Sequence, residues 1–200
     1  MADRARGRGE AGAPPWRFIV LLGLPGAGKS TVGPLVAARL GGAFVDLDAE
    51  IAAEAGMSVG EIFAREGEAG FRARETRATA SLVARARDAA SASGLPGAAP
   101  VVVAPGGGWV EGPANRALLG RHMWSVYLRV QVATAVSRMG ASASSRPLIA
   151  GAGTAERLLE LFRRREPLYV QSNHTLDVDS MTPAEVCDSI VALASRSAPD

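Results

Sequence analysis

Five short apolar runs recur along the chain, and longer stretches of helical periodicity separate them. Arg17–Leu22, Ala43–Leu47, Pro100–Ala104, Ser125–Val130 and Thr175–Val178 are the strand candidates. They are continuous rather than alternating, as expected when both faces of a strand are covered. Helical patterns fill Thr31–Leu40, Val59–Arg65, Phe71–Ala90, Asn115–Leu119, Val132–Met139, Ala155–Glu166 and Pro183–Ala194. Every gap between strands can hold a crossover helix, which predicts parallel strands. The pattern thus predicts an α/β fold, a three-layer α/β/α sandwich around a five-stranded parallel sheet.

Both ends fall outside this alternation. Residues 1–15 are rich in Gly, Ala, Arg and Pro and read as a flexible tail, as do residues 195–200. One domain over residues 16–194 remains, and a chain of 200 residues suits one domain. An apolar fraction of 48% with 21% charged residues is globular composition. The net charge is only +2 although the pI is near 9.2, so neither nucleic acid nor a membrane surface is expected as a partner. No apolar run reaches the roughly 18 residues of a membrane span. Arg4, Arg6 and Arg8 ahead of Phe18–Leu22 mimic a signal peptide, but Pro14-Pro15 intervene and the run leads straight into a glycine loop. Cys187 is the only cysteine, which excludes an internal disulfide and suits a reducing compartment. His122 and His174 stand alone, so no zinc site is expected. A cytoplasmic monomer is the expectation.

The first strand candidate runs directly into Gly23-Leu24-Pro25-Gly26-Ala27-Gly28-Lys29-Ser30, which fits G-x-x-x-x-G-K-[ST], and a helical stretch follows. Strand, glycine loop and helix make a phosphate cradle. Backbone N–H groups turn inward around phosphate oxygens, and the helix N-terminus adds its positive end. Gly26, Ala27, Gly28, Lys29, Ser30 and Thr31 are therefore the candidate nucleotide-binding residues, with ATP as the ligand. Lys29 is expected to bridge the β- and γ-phosphates, and the Ser30 hydroxyl to ligate Mg²⁺. Pro34 falls in the second turn of this helix, which predicts a kink or an opened first turn.

The second strand ends in Phe44-Val45-Asp46-Leu47-Asp48. Ligands of open parallel sheets bind beyond the carboxyl ends of the strands, so both carboxylates are expected near the cradle. Alternation along an extended chain sends them to the same side. One can hold a water of the Mg²⁺ shell while the other takes or orients an acceptor hydroxyl. Asp48 can equally be no more than the cap of the next helix. From these residues alone the two readings stand even.

Further motifs follow in order: Gly56-Met57-Ser58-Val59-Gly60-Glu61-Ile62-Phe63, Gly67-Glu68-Ala69-Gly70-Phe71-Arg72 with Glu75, Gly106-Gly107-Gly108, Arg146-Pro147-Leu148, and Arg165-Glu166-Pro167-Leu168-Tyr169. With the Asp-x-Asp and the glycine loop, this set resembles the shikimate kinase family from residue 17 to about residue 190. The resemblance implies P-loop NTPase architecture of the nucleoside monophosphate kinase type. It also implies transfer of the γ-phosphoryl of ATP to the 3-hydroxyl of shikimate. In that family's pattern Asp48, Arg72, Gly106, Gly107, Gly108 and Arg165 form the acceptor site, with Arg72 and Arg165 on the carboxylate and Glu75 orienting Arg72. Asp48, Lys29 and Arg146 would be catalytic, and Arg138 and Pro183 would flank the adenine. Ser30, and Asp46 through water, would serve Mg²⁺. The acceptor region would cover about residues 48–90 and a lid about 140–153.

Elementary chemistry agrees with part of this. The planar arginine fork suits a carboxylate, and consecutive glycines let a ligand approach the backbone. Two features depart from the family's pattern. Pro105 precedes the glycines, and Asp177–Pro183 lacks a basic residue often found before the proline. Two other readings remain at this stage: a kinase of another hydroxy acid such as gluconate, and a nucleotide-binding module without transfer activity.

Overall fold

A computed structural model describes residues 16–93, 99–140, 148 and 153–197. All five expected strands form: β1 (Phe18–Leu22), β2 (Ala43–Asp46), β3 (Val101–Ala104), β4 (Met123–Arg129) and β5 (His174–Asp177). They pair in parallel in the order β2-β3-β1-β4-β5. In central β1 every residue of Phe-Ile-Val-Leu-Leu is buried. Because successive side chains face opposite sides, both faces of that strand are covered. The edge strands β2 and β5 are half exposed, so the expectation of fully covered strands holds for the centre of the sheet only.

Among the described residues seven α-helices connect and flank the strands: α1 (Lys29–Arg39), α2 (Leu47–Ala55), α3 (Val59–Ser93), α4 (Pro113–Leu119), α5 (Val132–Met139), α6 (Thr154–Tyr169) and α7 (Pro183–Arg196). Ile19, Val36, Val126, Leu128, Leu158 and Ile190 are among the fully buried residues of the core. Among the described residues no helix is long and apolar enough to cross a membrane.

Several expectations need correction. Not among these is the break expected between helices at 59–65 and 71–90: α3 is two helical stretches that meet at a kink at Gly67, whose φ of 69° and ψ of −177° only glycine adopts readily. Helix α1 runs unbroken through Pro34. Helix α6 likewise continues past Pro167 to Tyr169, because its buried face carries on through Arg165 to Tyr169. At the C-terminus α7 extends to Arg196, two residues beyond the expected end of the domain. The tail at 1–15 and most of the expected lid lie outside the described residues.

The register places the site. Asp46 at the end of β2 lies opposite Ala104 at the end of β3, and β3 lies beside β1. The phosphate loop after β1, the carboxylates after β2 and the glycine turn after β3 therefore emerge side by side. The approach of β2 to β3 is tight at its start, where a Cβ on Gly42 would stand 2.0 Å from the Pro100 carbonyl oxygen. Gly42→Ala must push the two strands apart and is expected to lower stability by about 1–3 kcal/mol. Urea unfolding checks this, and an unchanged midpoint contradicts it.

Candidate functional site

The loop from Gly23 to Ser30 is pressed against the rest of the fold. A Cβ on Gly26, whose φ is 83°, would stand 2.4 Å from the carbonyl oxygen of Ala135 on α5. Lys29, the first residue of α1, is largely buried, and its Nζ donates to the Gly23 and Leu24 carbonyls at 2.9 and 3.0 Å. The ammonium is thus folded over the loop and fixed at its centre. With Gly28 as the N-cap, the positive end of α1 faces the same space.

Asp46 does two things. Its Oδ2 accepts from the Ser30 hydroxyl at 2.6 Å, and its Oδ1 accepts from the Ala49 N–H at 3.2 Å, so Asp46 is the N-cap of α2. The capping role that Asp48 was equally able to fill belongs to its neighbour. Asp48 lies in the first turn of α2, and the helix, not strand alternation, carries it to the site. Its carboxylate points at the glycine turn, 2.7 Å from where a Cβ on Gly106 would stand.

That turn, Gly106-Gly107-Gly108, continues into a 3-10 turn at Trp109–Glu111. None of the three glycines has a positive φ. Glycine is required here for space. A Cβ on Gly107 would stand 3.4 Å from Arg165 Nη1, and one on Gly108 would stand 2.1 Å from Arg72 Nη2. Asp48 and Arg72 occupy the volume that side chains at Gly106 and Gly108 would need, while Gly107 lies in close contact with Pro25, Arg165 and Tyr169.

After the bend at Gly67, Glu68, Arg72 and Glu75 fall on one face of α3. Arg72 Nη2 donates to Glu68 at 3.1 Å, and Nη1 donates to both oxygens of Glu75 at 3.2 and 3.1 Å. Burial works against the Arg72 charge, but Glu75 and Glu68 outweigh it and hold the pKa above the ordinary arginine value. Glu75 is fully buried, and Asn115 donates to its Oε2 at 3.4 Å. Burial pushes the Glu75 carboxyl up to about 7; Arg72 pulls it down, and the charge of Asp48 adds to the rise. Trp109 Nε1 donates to Thr79 at 3.0 Å, and Asn115 donates to the Trp109 carbonyl at 3.3 Å, so α3, α4 and the turn are tied together.

Arg165 approaches from α6 and is only 1% exposed. Its Nε donates to Glu111 at 2.7 Å. One helical turn on, the Tyr169 hydroxyl donates to the Gly107 carbonyl at 2.6 Å. On the far wall Arg138 Nη2 donates to the Val178 and Asp179 carbonyls at 2.7 and 3.0 Å.

A single cavity of about 650 Å³ joins these features. Its lining contains every candidate site residue except Arg146, from Gly26–Thr31 through Asp46, Asp48, Arg72 and Gly106–Gly108 to Arg138, Arg165 and Pro183. Arg146 lies outside the described residues. The site also contains residues that the sequence reading missed. Glu68 was recognisable from its spacing of four to Arg72. Tyr169 stood within a quoted motif but had no role. Nothing in the sequence marks Glu111 or Asn115, whose side-chain partners lie tens of residues away.

A family model described as shikimate kinase matches residues 25–195. The shikimate kinase of Gloeobacter violaceus is 40% identical over 182 residues, covering 91% of this chain and 95% of that protein. That of Frankia casuarinae is 42% identical over 189 residues, covering 92% and 77%. Among solved structures, shikimate kinase from Acinetobacter baumannii in complex with shikimate matches with a TM-score of 0.79 at 31% identity, over 90% of this chain and 94% of that one. A gluconokinase from Sinorhizobium meliloti matches with a TM-score of 0.56 at 18% identity, a likeness of fold alone.

The elevated Glu75 value carries a sign. A carboxyl whose folded pKa lies near 7, above its ordinary 4.5, favours folding fully below 4.5 and loses that contribution as pH rises through 7. Relative to Glu75→Gln, the unmodified protein is therefore expected to lose on the order of 2–3 kcal/mol of unfolding free energy from pH 4.5 to 8. Denaturant unfolding across that range measures it. A difference independent of pH contradicts the assignment.

Proposed function

This chain belongs to the shikimate kinase family, and on that premise we propose that it transfers the γ-phosphoryl of ATP to the 3-hydroxyl of shikimate, giving ADP and shikimate 3-phosphate. The observation that carries this reading is the shared cavity, in which a phosphate loop faces two arginines and a carboxylate grouped around one glycine turn. The family match favours shikimate over a gluconate acceptor. A purely nucleotide-binding module has no use for the arginine wall.

Phosphoryl transfer asks a protein mainly for positioning and for charge stabilisation. Lys29 bridges the β- and γ-phosphates, and the backbone N–H groups of the loop and of α1 hold the remaining oxygens. Ser30 and Asp46 place two hard oxygen donors 2.6 Å apart at the mouth of the loop. That suits Mg²⁺, which keeps several waters and takes few protein ligands. Mg²⁺ is the family's cofactor, and held by Ser30 and, through water, by Asp46, it would neutralise charge on the β- and γ-phosphates.

Arg72 and Arg165 grip the acceptor's carboxylate from two sides, and the glycine turn lets its ring lie against the backbone. Asp48 then faces the reacting hydroxyl. It accepts the hydroxyl proton as the oxygen attacks the γ-phosphorus and ADP leaves. Arg138 and Pro183 flank the adenine, and Arg146 closes over the transferring group from a lid at about 140–153. One kinase domain from residue 16 to the end of α7 at Arg196 does this as a cytoplasmic monomer, with the acceptor region at about 48–90 and with no nucleic acid or membrane partner.

Steady-state ADP release with and without shikimate tests the reading. Release is expected to depend on shikimate, and equal rates in its absence contradict it. Asp48→Asn is expected to keep ATP binding while turnover falls at least ~100-fold. Full turnover in that variant removes Asp48 from the mechanism.

A further inference from the structure

Arg165 presents an electrostatic problem that no residue of the family-like motifs solves. Its guanidinium is almost completely buried, and taking such a charge out of water costs several kcal/mol unless a counter-charge meets it. Among the described residues the one ion pair of Arg165 is with Glu111, at 2.7 Å. Glu111 is held in turn by Arg164, whose Nε lies 2.6 Å from its other oxygen and whose Nη2 donates to the shared oxygen at 3.2 Å. Burial works against ionisation of Glu111, but Arg165 and Arg164 outweigh it and keep its carboxyl below the ordinary range.

The contact is selective within the fork. Glu111 takes Nε alone, and the terminal Nη2 has no hydrogen-bond partner among the described residues although it is buried. A guanidinium fixed at Nε with its Nη2 unsatisfied keeps a donor for a second anionic group. Arg165 also lines the cavity that holds Asp48 and Arg72.

We propose that Glu111 is the positioning residue for the acceptor: it anchors Arg165 through Nε so that the outer nitrogens of the fork meet the acceptor's carboxylate. This rests on the reading of Arg165 as part of the carboxylate clamp. Glu111 follows the glycine turn by three residues, so one short segment shapes the acceptor pocket and anchors one of its arginines. Two effects oppose each other when Glu111 is neutralised. The bare Arg165 charge attracts an anion more strongly, but a buried guanidinium without a counter-charge abandons its position. The cost of burying an unpaired charge makes the second effect dominate.

Steady-state kinetics of Glu111→Gln, Glu111→Asp, Arg165→Ala and the Gln/Ala double variant, in the full chain, test this. Glu111→Gln is expected to raise KM for shikimate about 10-fold or more, the reach of one charge-assisted contact, while KM for ATP and kcat stay within about twofold. Glu111→Asp keeps the charge but retracts it, and KM is expected to rise about threefold, between the unmodified protein and the Gln variant. The double variant should show little beyond Arg165→Ala, because the two residues act as one unit. An unchanged or lowered KM in Glu111→Gln, beside a raised KM in Arg165→Ala, overturns the positioning role and leaves the clamp intact. An unchanged KM in Arg165→Ala overturns the clamp itself, and the proposal with it. If the Gln variant fails to fold, the Asp variant decides, and an unchanged KM there is the contrary result.

Discussion

The site depends on a shortage of room. After β3, Gly106 and Gly108 give up their side-chain volume to Asp48 and Arg72, and Gly107 between them packs against Arg165; these side chains reach the turn from α2, α3 and α6. Close packing leaves no slack at such a point, so turn and walls specify one another. The turn is then secured from both sides. Trp109 bonds to Thr79 of α3, and Tyr169 of α6 bonds to the Gly107 carbonyl. Parallel strand order supplies the remainder, since β1, β3 and β2 are neighbours and release their C-terminal loops onto one rim.

Charge follows the same plan. Each arginine of the proposed acceptor wall arrives already paired, Arg72 with Glu68 and Glu75 and Arg165 with Glu111. Pairing makes burial affordable, and burial holds the side chains in one geometry. Across the cavity the phosphate loop carries its positive character on fixed backbone dipoles and on Lys29, itself held by two loop carbonyls. Both halves are organised in advance, so little rearrangement is needed when charge moves between them.

Much of this was legible in the sequence, for reasons that differ by element. The strands were readable because covered strands are short and apolar, and the phosphate loop because its spacing is dictated by phosphate geometry. The break at Gly67 was readable as an interruption of helical periodicity between residues 65 and 71, whereas the φ of its glycine was not. Asp48 was expected at the site by strand alternation, but β2 stops at Asp46 and the first turn of α2 delivers it instead. The glycines were read as room for a ligand; they are also room for the protein's own side chains. Pairings such as Glu111 with Arg165 span 54 positions and obey no local period, so pattern reading passes over them.

The central claim is that the acceptor pocket exists because the turn lacks side chains. Calorimetric titration of shikimate into Gly108→Ala, beside the unmodified protein, tests it most directly. A Cβ at Gly108 would overlap the Arg72 guanidinium at 2.1 Å, so shikimate affinity is expected to fall at least ~10-fold while ATP affinity is kept. Undiminished shikimate binding in that variant would contradict the account.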